Sequence, residues 1–218
     1  MRLLLTASLL LLFPGTAAAA DLTLALSPEA GVQYGTAQGA GGRLTEGAAP
    51  LAGQAVELQA RAYPYDGAFE TVATGTTDAN GAYAFQRRFE RNVQLRAVAP
   101  AAQETSPVQR AYVFPRPRSK FKALSRGRLR IIQYLRTPRG VRLTARTIFY
   151  LGPESAETAP RVATATPKPI GRGRFKATAT VKLPRAWKGG FRYGSCFRYS
   201  EGSGLGDPKA SCPREYRF

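Results

Sequence analysis

Apolar residues recur at every second position through most of this chain. Leu22, Leu24 and Leu26 alternate with smaller or polar neighbours, and Val56, Leu58, Ala60 and Ala62 share one side while Glu57, Gln59 and Arg61 take the other. Tyr83 and Phe85, then the segments 93–98 and 108–114, keep the same period. A two-residue period sets successive side chains on opposite faces of a strand. No segment sustains a 3.6-residue period between helix caps. Turn signals at roughly eight- to twelve-residue intervals divide the first half into about seven short strands, which predicts a β-sandwich.

The sharpest turn signal is Thr76-Thr77-Asp78-Ala79-Asn80-Gly81-Ala82-Tyr83-Ala84-Phe85. Asn80-Gly81 accepts positive φ at low cost, and Asp78 can accept a hydrogen bond from the backbone two residues on, so a hairpin is predicted there. Ninety positions later a glycine, Gly171, again stands four residues before a phenylalanine, Phe175. Val141 to Arg146 echoes Val56 to Arg61, and Val162 to Thr166 echoes Val72 to Thr76. The fold class predicted is all-β, with two sandwiches in tandem.

Charge marks the boundary between them. Residues 21–114 hold seven Arg against nine Asp or Glu, whereas residues 115–218 hold 24 Lys or Arg against five acids. The step falls at Phe114-Pro115-Arg116-Pro117-Arg118, where alternating prolines predict a stiff linker over 115–119. The division is then a first, near-neutral domain over 21–114 and a second, basic domain over 120–218. Ahead of both, Arg2, an apolar run from Leu3 to Phe13 and the series Ala17 to Ala20 form a secretory signal peptide over 1–20. That run is short for a bilayer and no second one occurs, so the mature chain is expected to be secreted, without a transmembrane segment.

Export places Cys196 and Cys212, the only cysteines, in an oxidising compartment, where a disulfide between them is expected. Histidine is absent. The usual general base, metal ligand and catalytic triad go with it, so no catalytic residue, metal site or cofactor is predicted. Asp78 and Asn80 begin like a calcium loop, but the further acids and closing glutamate are missing, which leaves a turn. Asp66 with Glu70, and Glu154 with Glu157, read as solvated loop charges.

The basic half holds the candidate binding residues. From Arg128 to Arg136, Leu129, Ile131 and Leu135 point one way and Arg128, Arg130, Tyr134 and Arg136 the other. In the next strand Val141, Leu143, Ala145 and Phe149 form the inward set, leaving Arg142, Arg146 and Tyr150 outward; Arg174, Lys176 and Lys182 lie outward on a third. If the first two strands pair as a hairpin across residues 136–140, these cations make one surface. In separate sheets they scatter.

Residues 31–100 resemble the bacterial immunoglobulin-like, carboxypeptidase-regulatory-like modules. The resemblance rests on Pro50-Leu51-Ala52-Gly53-Gln54-Ala55-Val56 and on the turn Thr77 to Phe85. It implies an immunoglobulin-like sandwich with a structural or binding role at the cell envelope, and a diverged second copy in which Lys168 and Ile170 replace Asp78 and Asn80. An exposed arginine field with tyrosine suits an anionic cell-envelope polymer, held through Arg128, Arg130, Arg136, Arg142, Arg146 and Arg174. No helix-turn-helix, zinc-finger or RNP motif points to specific nucleic-acid binding. The alternative is a spacer or assembly subunit that joins another exported protein through its edge strands. A histidine-free carbohydrate-active enzyme is a remote third reading.

Overall fold

A computed structural model describes residues 19–185 and 190–218. The expected signal peptide, apart from Ala19 and Ala20, lies outside the described residues. Among them, no helix is long and apolar enough to cross a membrane. The described residues are all-β apart from one 3-10 turn at Glu201–Ser203.

The N-terminal half contains β1 (Ala20–Leu22), β2 (Ala25–Ser27), β3 (Val32–Gln33), β4 (Gln38–Glu46), β5 (Ala49–Pro50), β6 (Ala55–Ala62), β7 (Glu70–Thr76), β8 (Ala82–Arg87), β9 (Val93–Ala99), β10 (Glu104–Thr105), β11 (Gln109–Ala111) and β12 (Val113–Phe114). In one sheet β1 and β2 lie end to end along one side of β4, with β8 on its other side and β5 folded back on its end. The facing sheet runs β7–β6–β9, and β10 and β11 lie end to end along the outer edge of β9. β3 and β12 form a short parallel pair. Alternate residues of both sheets, among them Leu22, Leu44, Val56, Leu58, Leu95 and Ala97, close a common core. In the central, glycine-rich β4, a Cβ at Gly42 would collide with the Thr23 carbonyl oxygen. Only glycine lets β4 lie this close to the link between β1 and β2.

The turn at Thr77–Gly81 forms as its residues dictate, but it does not close a hairpin. The Asp78 carboxylate accepts from the backbone N–H groups of Asn80 (2.8 Å) and Ala82 (2.9 Å), and Gly81 sits at φ +69°. Yet β7 pairs with β6 and β8 with β4. The turn therefore carries the chain from one sheet to the other. Thr77 is buried against residues 51–54, donating from Oγ1 to the Leu51 carbonyl (2.5 Å) and accepting from the Gln54 N–H (2.9 Å). This clamp directs β8 away from β7.

The C-terminal half contains β13 (Arg116–Leu124), β14 (Arg128–Arg136), β15 (Ala145–Pro153), β16 (Thr158–Ala165), β17 (Lys168–Gly171), β18 (Arg174–Lys182), β19 (Phe191–Tyr199) and β20 (Glu215–Arg217). One sheet is ordered β13–β14–β18–β17, the other β19–β15–β16–β20. Leu129, Ile131, Phe149, Leu151, Ala177 and Val181 form the core between them. Here the residues that correspond to Thr77–Gly81 include a strand, β17, which forms a hairpin with β18 across Arg172 and Gly173. The predicted linker is corrected as well: residues 116–119 begin β13, paired with β14 from Arg116↔Arg136 to Leu124↔Arg128.

The expected disulfide is present, linking Cys196 on β19 to Cys212 with Cα atoms 5.7 Å apart. It holds the C-terminal segment across the outer face of β15 and β16, where Tyr216 packs with Ile148, Tyr150 and Ala159. This explains a departure from the expected pattern. Tyr150 does point away from the main core, but it is fully buried under that segment and donates from Oη to the Pro213 carbonyl at 2.6 Å. Replacing both cysteines with serine is expected to lower unfolding free energy by about 3 kcal/mol, measured by denaturant titration.

Burial pushes the phenols of Tyr83 and Tyr199 well above their ordinary range, and that of Tyr193 upward too. Unfolded, these groups ionise near pH 10. Their folded values are raised, so the stability they contribute is complete below about pH 10 and is lost as pH rises beyond it. With no histidine to titrate near neutrality, the melting temperature is expected to stay level from about pH 6 to 9 and to fall above about pH 10. A decline starting near pH 7 would contradict this.

Candidate anion-binding face

Strand pairing gathers the cations of four strands onto one surface. Leu129, Ile131 and Leu135 of β14 face the interior, as do Phe175, Ala177 and Val181 of β18, so the intervening residues face outward. Directly paired residues share a side in an antiparallel sheet. Arg116, Arg136 and Arg174 therefore form one row across β13, β14 and β18. Arg118, Tyr134, Lys176 and Lys168 form the next. Farther along, Lys122 lies opposite Arg130, and Arg128 opposite Lys182. Every Arg and Lys of these four strands is on this face, and the strands contain no Asp or Glu.

Two hollows adjoin the arginine row. A groove of about 590 Å³ is lined by Arg116, Arg118, Lys120, Tyr134, Arg136, Ile170 and Arg174 among others. A second, of about 530 Å³, is lined by Tyr34, Arg136, Thr137, Arg139, Arg172, Gly173 and Arg174. Arg136 and Arg174 border both. The turn between β17 and β18 brings the second hollow to this end. Gly173 has φ +65°, and a Cβ there would lie 2.5 Å from the Thr137 carbonyl oxygen. The Gly173 carbonyl accepts from the Thr137 N–H at 2.9 Å, which sets Arg172 and Arg174 beside Arg136 and Arg139.

Tyr134 is half-buried within this field, and Lys120 Nζ lies 6.0 Å from its ring centroid. Tyrosine here separates charges along the row and offers an aromatic surface with a hydroxyl. The arginines of the row are exposed. Like charges directly opposite one another on a sheet destabilise it by some tenths to about 1 kcal/mol per pair. A row of three with no carboxylate among its strands is a cost that a bound anion would relieve.

Four of the six predicted residues, Arg128, Arg130, Arg136 and Arg174, share this face. The other two do not. β14 and β15 belong to different sheets rather than to one hairpin, so the cations scatter as the second geometry foresaw. Arg142 lies in the connection before β15, which starts only at Ala145, and Arg146 lies opposite Arg198 in the other sheet. Sequence reading missed Arg116, Arg118, Lys120, Lys122, Arg139 and Arg172 as site residues. The first four occupy every second position, the period of a strand, although two prolines give the same stretch the look of a linker.

Among the described residues, no group of three or more His, Cys, Asp or Glu is placed to hold a metal ion. Compared with known proteins, the sequence matches no protein-family model and no curated protein.

Proposed function

We propose that this protein is an exported, non-enzymatic module that holds an anionic polymer, a phosphate-rich or acidic polysaccharide of the cell envelope, on the β13–β14–β18 face. The observation that carries the reading is the row Arg116, Arg136 and Arg174 on strands without acids, bordered by two hollows. Guanidinium groups donate in a planar fork that matches phosphate and carboxylate oxygens. The disulfide fits an oxidising compartment. An immunoglobulin-like ancestry for both halves is in keeping with the paired sheets.

The test is binding of the mature chain to polyphosphate, to heparin and to isolated bacterial wall across a salt series. The logarithm of affinity is expected to fall linearly with the logarithm of salt concentration, each engaged phosphate adding about 0.7–0.9 to the slope. Measurable binding is expected to persist at about 0.15 M salt, where the Debye length is about 8 Å. If binding vanishes there for all three materials, the charge is general surface character and the reading fails.

A further inference from the structure

The two halves differ in what closes one edge of the sandwich. In the N-terminal half, β9 pairs with β6 on one side and with β10 and β11 on the other. In the C-terminal half, β19 pairs with β15 along its whole length, but the last strand, β20, pairs with β16 at the far edge of the sheet. Among the described residues, no strand pairs with the second edge of β19. The disulfide enforces this diversion, since Cys212 is tied over the outer face of the sheet and the chain beyond it runs to β16. The same edge of the facing sheet, β13, also ends without a partner.

The slot between these edges has an apolar floor. Phe121 of β13 is 42% exposed, and its ring meets Phe191 at 5.3 Å and Tyr193 at 5.0 Å, both edge to face. Behind it, Ser119 and Tyr193 both donate hydroxyls to the buried Gln133 Oε1, at 3.0 and 2.5 Å. This tie fixes the spacing of the two edges, so the slot is preformed. We propose that it takes an extended segment of another polypeptide, paired antiparallel to β19 as β11 is to β9, with alternate apolar side chains on the Phe121 floor. Main-chain hydrogen bonds would supply affinity and alternate side chains specificity, as in other strand additions.

The occupant is acidic on its outward positions. On β19, Arg192 and Arg198 alternate with Phe191, Tyr193 and Phe197 and are exposed on the outer face, beside the outward positions of an added strand, and the chain has no Asp or Glu from 158 to 200. With a net charge of +18, a second copy of this chain is a poor partner. The inference stands apart from polymer binding on the basic face, which uses a different surface of β13.

The experiment uses the mature chain and a nine-residue peptide alternating valine and glutamate, at about 0.5 M salt to screen the basic face. Amide exchange read by mass spectrometry is expected to slow at least about tenfold in segments 118–124 and 191–196. N-methylating alternate peptide amides is expected to abolish the protection. The substitution Phe121→Ser, at a partly exposed position, is expected to weaken binding about tenfold. No protection at millimolar peptide would overturn the proposal. So would equal protection by the N-methylated peptide, which would reflect charge alone.

Discussion

Replacing Arg116, Arg136 and Arg174 together with glutamine is expected to raise the thermal stability of the protein and to weaken the proposed binding of a polyanion about hundredfold. The two effects have one cause. In the free protein the three guanidinium groups stand side by side across adjacent strands with no carboxylate in the sheet to offset them. Directly opposed like charges cost up to about 1 kcal/mol per pair, and the row contains two such pairs. Relief of about 1 kcal/mol corresponds to a rise of about 2–4 °C in melting temperature for a chain of this size. With the polymer bound, each cation near an anionic surface contributes about 1 kcal/mol, so losing three removes about 3 kcal/mol, or about two decades of affinity. The salt slope falls by about 2–3. If the melting temperature falls together with affinity, the arginines serve packing rather than binding.

Asn92→Ala is expected to cost about 2–5 kcal/mol, measured as a shift in denaturant midpoint. Asn92 is 4% exposed and lies just before β9, where segments distant in sequence meet. Its Nδ2 donates to the Gly206 carbonyl at 2.7 Å and its Oδ1 accepts from the Val113 N–H at 2.9 Å. Its own backbone donates to the Gly204 carbonyl and accepts from the Tyr63 N–H, both at 2.9 Å. Truncation leaves a buried N–H and a buried carbonyl without these partners, at about 1–3 kcal/mol each. Around them, Val113, Leu135, Phe175, Tyr199 and Leu205 form an apolar cluster drawn from both halves of the chain. Asn92→Asp keeps an acceptor for Val113 but loses the donor to Gly206, so its loss is expected to be large as well. A change under about 0.5 kcal/mol in the alanine variant, the range of ordinary surface substitutions, would show that water replaces the side chain there.

The alternating pattern made much of the fold legible, because a buried face repeats every two residues whatever the strands later pair with. β9, β14 and β18 bury the positions that the sequence marks, and so does β6 for Val56, Leu58 and Ala60, whereas Ala62 at its end is exposed. The 90-residue echo is also structural: β4 at Gln38–Glu46 and β14 at Arg128–Arg136 are central strands at that spacing. Pairing was the part that local signals could not supply. Asn80-Gly81 specifies a turn, but the Thr77 clamp to residues 51–54, a contact across more than 20 positions, decides that the strands it joins lie in different sheets. Tyr150 faces outward by parity, and only the path of the tail after Cys212 buries it.

The candidate site was half legible for the same reason. Parity along β14 and β18 assigned four arginines to one face without knowledge of their neighbours. Placing Arg116 and Arg118 beside them required β13 to be a strand, and Pro115 and Pro117 argued against that. Proline is tolerated on an edge strand, where an N–H can be spared, and β13 is an edge. The period-two spacing of Arg116, Arg118, Lys120 and Lys122 was the signal to weigh against those prolines.

The most direct test of the central claim compares two variants with the same net charge. One carries R116Q, R136Q and R174Q, the other R142Q, R146Q and R198Q; each loses three positive charges, the first from the row and the second from outside that face. Affinity for polyphosphate is measured for both against the unaltered protein at about 0.1 M salt, where the Debye length of about 10 Å screens distant charges. The row variant is expected to lose about a hundredfold and the other less than about threefold. Equal losses would mean that the protein attracts polyanions by overall charge, with no site on the β13–β14–β18 face.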